Sequence, residues 1–147
     1  MIFMIKLEKP PSILALAAIT GLAPFTLNII VPSLPSISDY YNVTYSSAQL
    51  VITAFIAAMA IGQLIIGTLS DAYGRRSILM IGIFIFIIGS IICSIAPTIE
   101  ILVFGRFIQA LGGVSGVVLG RAIVRDVYGR EKAASALGYV TTVMVIA

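Results

Sequence analysis

Residues 48–76 read AQLVITAFIAAMAIGQLIIGTLSDAYGRR, a long apolar run closed by one acid and a pair of arginines. Between Asp39 and Asp71 no side chain is charged. A hydrocarbon core about 30 Å thick is crossed by about 20 apolar residues of helix, and this run exceeds that length. In lipid, only helices and closed barrels satisfy every backbone donor and acceptor, and the apolar residues here are continuous rather than alternating. The stretch therefore reads as a membrane-spanning helix with a short polar connector behind it.

The same arrangement recurs on both sides of it. Nothing is charged between Lys9 and Asp39, nor from Ser77 to Ile99. The 147-residue chain has 60% hydrophobic and 10% charged residues and a mean hydropathy of +1.14, whereas soluble domains carry roughly 25% charged residues. A water-soluble fold is excluded. The pattern predicts an all-α integral membrane protein, a single partial transmembrane domain over 1–147. Its helices are expected at about 13–33, 48–69, 77–95 and 101–124, with a fifth beginning at 133–147.

Composition also narrows the chemistry. The chain has no histidine and one cysteine, so disulfide frameworks and cysteine-rich metal sites are ruled out and no metal is expected. The six acidic residues fall in the tail, in connectors or at predicted membrane edges, and no nucleophile–base pair or paired carboxylates can be assembled from them. A hydrolytic enzyme is not expected. A formal charge of +3 and a pI near 9.2 raise nucleic acid as a partner, but the basic residues are scattered between spans. Topology explains them better. Lys6 and Lys9 precede the first helix, Arg75 and Arg76 follow the second, and Arg125, Arg130 and Lys132 follow the fourth. The connectors at 34–47 and 96–100 contain neither Lys nor Arg. By the positive-inside rule the N-terminus and the connectors after helices 2 and 4 are cytoplasmic. A cleaved signal peptide is the rival reading of the N-terminus, but its apolar core would be too long and no small-residue cleavage site follows.

Projected at 100° per residue, the fourth helix gathers Arg106, Gln109, Gly112, Gly113, Gly116 and Gly120 on one side, with Phe104, Phe107, Ile108, Leu111, Val114 and Val118 opposite. The glycines admit a neighbouring backbone, and the opposite face suits lipid. Arg106 sits about 8 Å below the outer end of the helix, at about 1.5 Å per residue. A cation at that depth marks a cavity or pathway; the competing reading is an arginine snorkelling to the outer headgroups. In the first helix Gly21, Pro24, Asn28 and Pro32 share a face, and Asn28 either contacts a substrate or bonds a neighbouring helix. The second helix offers Ala54, Ala58 and Gly62 as a small-residue ridge and Gln49, Thr53 and Gln63 as hydrogen-bonders. The third, apolar nearly all round, reads as a peripheral scaffold.

The connector Gly67-Thr68-Leu69-Ser70-Asp71-Ala72-Tyr73-Gly74-Arg75-Arg76 is the sharpest motif. Gly67 allows close packing, Gly74 allows a turn with positive φ, and Asp71 can face a helix N-terminus or an arginine. Arg75 and Arg76 can pair with Asp126 or with lipid phosphates. An ordinary basic inside loop needs the arginines but not this order.

These residues resemble the major facilitator superfamily of secondary transporters. Gly67 to Arg76 is similar to its signature loop. The run Leu102-Val103-Phe104-Gly105-Arg106-Phe107-Ile108-Gln109-Ala110-Leu111-Gly112-Gly113 resembles the helix 4 motif of its proton-coupled members, and Asn28 to Pro35 the end of helix 1 in drug exporters. Arg121 to Asp126 is similar to the bicyclomycin and chloramphenicol resistance branch. The resemblance implies part of the N-terminal six-helix half of a twelve-helix transporter that rocks two halves around a central site. It further implies multidrug efflux by drug:proton antiport from the bacterial inner membrane, energised by the proton gradient without a cofactor. The implied partners are the bilayer, protons, amphipathic drugs and the remaining helices of the transporter. On this reading Arg106 serves proton coupling, and Asn28, Gln49, Thr53 and Gln109 line the substrate cavity. Gly67, Asp71, Gly74, Arg75 and Arg76 form a cytoplasmic gate with Arg125 and Asp126. Asn28 stands where that branch often has an aspartate, which leaves the proton-carrying acid open. An uptake permease of the same superfamily and a non-transporting four-helix membrane protein are the alternatives.

Overall fold

The computed structural model describes residues 13–146, of which 13, 14, 16, 17 and 124–146 are described by their backbone alone. Four helices follow one another: α1 (Ile13–Tyr41), α2 (Tyr45–Tyr73), α3 (Arg75–Ser94) and α4 (Ile99–Ile146). No strand occurs among the described residues. Each helix contains a segment long and apolar enough to cross a membrane: Ala18–Tyr41, Tyr45–Tyr73, Arg75–Ser94 and Ile99–Ile123.

The connectors are shorter than charge and composition suggest. The helix expected to end near 33 runs on to Tyr41 through Pro24, Pro32 and Pro35. Each proline removes one helical hydrogen bond. The extension is held by packing instead, since Ile30, Ile37 and Tyr41 join Val51, Ala96, Ile99 and Leu102 in one apolar cluster. Asn42 then ends α1 with φ 51°, and the bonds Asn42 N–H to Asp39 O (3.2 Å) and Val43 N–H to Ser38 O (3.0 Å) close a Schellman turn. Thr44 caps α2, its hydroxyl accepting the Ser47 N–H at 3.2 Å. At the opposite end Gly74 alone joins α2 to α3, at φ 86°, a conformation that a side chain would strain. The Tyr41 hydroxyl donates to Ala96 O at 2.8 Å, so the α1–α2 and α3–α4 turns lie at the same end of the bundle.

A second difference concerns the fourth helix. The connector expected between 124 and 133 is absent, and one helix of 48 residues runs from Ile99 to Ile146. The segment 121–132 is charged but contains no proline, and its lone Gly129 costs a helix only about 1 kcal/mol. Charge alone does not end a helix.

Helix α4 is the axis of the unit. It packs against α1, α2 and α3, while no Cα of α1 lies within 8 Å of one in α3 among the described residues. The wheel prediction of a lipid-facing side is corrected here. Val114 is fully buried, against Gly62 of α2, Phe107 and Leu111 pack on the core around Phe55, Ala58 and Ala110, and among the opposite-face residues Phe104 alone is largely exposed. Lipid and a protein interior are equally apolar, so a wheel cannot tell a lipid face from an apolar contact. On α2 the contact line is Ala48, Val51, Phe55, Ala58 and Gly62, all buried, with Ala54 half-buried beside it. Spacings alternating between three and four residues keep such a line on one neighbour, whereas a strict four-residue ridge drifts around the helix. The outer face of α3, with Met80, Phe84, Ile87 and Ile91 exposed, has the peripheral character expected of it.

Candidate functional site

Close approach of α3 to α4 builds the site. A Cβ on Gly89 would stand 2.5 Å from the Gln109 Cα, and one on Gly105 would stand 2.9 Å from the Cys93 sulfur. Both lie inside ordinary contact distance, so only glycine lets these backbones meet. On the other flank, Gly113 and Gly116 meet Ala23 and Ile19 of α1, and Gly120 meets Thr20. Gly67 and Gly21 make no such contact, since a Cβ on either would find nothing within 4 Å; the close packing expected at Gly67 is not formed among the described residues.

Between α1 and α3, over α4, lies an open cleft of about 350 Å³, lined by Phe25, Thr26 and Ile29 from α1, Ser90, Cys93 and Ser94 from α3, and Leu102, Arg106 and Gln109 from α4. Arg106 is half-buried and Gln109 is 6% exposed. The Arg106 Nη1 donates to Gln109 Oε1 at 3.0 Å. The Gln109 Nε2 donates in turn to Ser90 Oγ at 2.8 Å, and the Ser90 hydroxyl donates to Phe86 O at 2.8 Å. The Arg106 Nε is buried and has no partner.

That chain bears on the two readings of Arg106. The Cα–Cβ bonds of a helix tilt toward its N-terminus, so a snorkelling arginine in α4 would reach toward Ile99. Bonding to Gln109 ties one arm of the guanidinium to the packed side of α4 instead of leaving both arms for the headgroups. A buried guanidinium nitrogen without a partner is costly, and its place beside a cleft leaves room for an acceptor, with a carboxylate the best match to an arginine fork.

Other expected site residues lie elsewhere. Asn28 on α1 and Gln49 and Thr53 on α2 are exposed and do not line this cleft; the Thr53 hydroxyl donates to Gln49 O at 3.2 Å. In the connector, Asp71, Gly74 and Arg76 are exposed and Arg75 is half-buried. The side chains of Arg125 and Asp126 fall outside those described. The sequence reading missed Ser90 and the α3 glycines. The signal was a seven-residue spacing, Gly82 to Gly89 on α3, matched by Gly105 to Gly112 on α4.

Comparison with known proteins identifies the family. The profile of the Major Facilitator Superfamily matches residues 16–147. An MFS-type transporter of Bacillus subtilis (strain 168), YdgK, is 45% identical over 123 residues, covering 80% of this chain and 31% of the relative. The chloramphenicol resistance protein of Pseudomonas aeruginosa is 31% identical over 122 residues, covering 82% of this chain and 29% of that protein. The bicyclomycin resistance protein homolog of Haemophilus influenzae is 27% identical over 135 residues, covering 92% and 34% respectively. The chain thus spans about a third of the length of these relatives. With four apolar helices, a glycine-jointed α2–α3 connector and a matching profile over nearly its whole length, the chain belongs to the major facilitator superfamily.

Proposed function

We propose that the chain forms the first part of a proton-coupled multidrug exporter, a drug:proton antiporter of the bacterial inner membrane working by alternating access. The observation that carries this reading is Arg106, bonded to Gln109 with its Nε buried and unpaired beside the cleft. A permanent positive charge there favours the ionised form of a nearby carboxylate and so sets when that acid takes up a proton. No acid lines the cleft among the described residues, so the proton carrier is assigned to the helices beyond this chain. Two relatives bear the names of drug resistance proteins, which favours export over uptake. Asn28, Gln49 and Thr53 are assigned to the wall that meets the second half of the transporter, and Asp71, Arg75 and Arg76 to a cytoplasmic latch with Arg125 and Asp126.

The direct test is reconstitution of the full-length transporter in liposomes with a fluorescent lipophilic cation as substrate. Outward movement should follow an imposed proton gradient and stop when a protonophore collapses it. Movement indifferent to the protonophore, or accumulation inward with the protons, would overturn antiport. The 147-residue chain alone should move no substrate, because alternating access needs a second wall for the cavity.

Orientation gives a separate prediction. With Cys93 replaced by serine, cysteines introduced at Thr44 and Thr98, both exposed at helix ends, should react with a membrane-impermeant maleimide from outside the cell, and one at Ser77 only after permeabilisation. The reverse pattern would invert the topology.

A further inference from the structure

Helix α3 turns large apolar side chains outward, yet at the level of Arg106 it places one hydroxyl against α4. Ser90 has a single hydrogen, and that hydrogen is used on Phe86 O. Its oxygen can then only accept, and the group presented to it is the Gln109 Nε2 at 2.8 Å. An amide held by its nitrogen on one side must offer its oxygen on the other. The Gln109 Oε1 accordingly receives the Arg106 Nη1. Were the amide reversed, its NH₂ would face the guanidinium, donor against donor, and Ser90 could give the oxygen a hydrogen only by giving up Phe86 O.

We propose that Ser90 is a positioning residue for Arg106: by fixing which end of the Gln109 amide the guanidinium meets, it holds Arg106 inward and leaves Nε available at the cleft. The side chain touches neither substrate nor the reacting proton and works entirely through Gln109. Its reach depends on Gly89, where α3 lies against the Gln109 backbone. A helix read from composition as scaffold thereby acquires a part in coupling. The proposal rests on the reading of Arg106 as the coupling group.

The test uses the reconstituted full-length transporter and two rates: substrate movement driven by a proton gradient, and substrate exchange at equal pH on both sides. Ser90→Ala leaves the buried Gln109 amide free to turn, and the driven rate should fall about tenfold while exchange stays at the wild-type level. Ser90→Thr, which keeps the hydroxyl, should restore the driven rate. Gln109→Leu should lower the driven rate at least as far, and Ser90→Ala added to it should lower that rate no further, since both act through one contact. A parallel fall in both rates, a wild-type driven rate in Ser90→Ala, or an additive double mutant would each overturn the proposal. Arg106→Lys is measured alongside. Normal driven transport in that variant would overturn the coupling reading itself, whereas a defect there beside an unaffected Ser90→Ala would overturn only the role of Ser90.

Discussion

Arg106→Lys is expected to lower proton-driven transport about 10- to 100-fold, with insertion and abundance nearly unchanged. The charge survives the substitution, but the planar fork does not. In the native site one arm of the fork is fixed on Gln109 at 3.0 Å while Nε stays free; an ammonium on a flexible stem cannot hold one acceptor and present a second donor in a set direction. Loss of a hydrogen bond to a charged group costs about 1.5–3 kcal/mol, and about 1.4 kcal/mol is tenfold in rate. The snorkelling alternative predicts a competent lysine, because either cation reaches the headgroups. Full proton-driven transport by Arg106→Lys would return Arg106 to the role of membrane anchor.

Gly112→Ala is expected to destabilise the bundle by about 1–3 kcal/mol, the range for forcing a methyl group into a packed contact. A Cβ there would stand 2.5 Å from Gly82 O and 2.7 Å from the Phe86 Cα. Both are backbone atoms, so no rotamer change makes room and α3 must move away from α4. Gly21→Ala is the control. A Cβ at Gly21 meets nothing within 4 Å, and alanine favours a helix interior over glycine by about 0.5–1 kcal/mol. Half-buried Cys93, the single cysteine of the chain, supplies the readout, because it lies in the same α3–α4 contact and reacts with a thiol-sensitive dye as that contact opens on heating. The melting temperature should fall in Gly112→Ala and hold or rise in Gly21→Ala. Equal melting temperatures for Gly112→Ala and the native chain would show that α3 and α4 are not held by this approach.

The existence of four spans was decided by the sequence alone, as were their helical form and the joint at Gly74. Transfer into lipid sums over neighbouring residues, and the need to satisfy every backbone group in hydrocarbon admits one solution for a continuous apolar run. The shared side of Arg106 and Gln109 was equally legible, since 3.6-residue periodicity requires only the local helix. What lay beyond local reach was where the helices end and what their faces touch. Pro32, Pro35 and a polar stretch argue for stopping α1 near 33, yet Ile37 and Tyr41 carry it on by packing against residues far along the chain. Val114 looks made for lipid and is buried on Gly62, because an apolar side chain gains as much from a neighbouring helix as from an acyl chain. Ser90 shows the same limit most sharply. One serine in a run of isoleucine and phenylalanine carries no signal of its own, and only the approach of α3 to α4 at Gly89 puts its oxygen 2.8 Å from Gln109. Local physical chemistry set the helices and their chemistry-bearing faces, whereas the contacts that give those faces direction came from distances between helices that no segment of the chain encodes by itself.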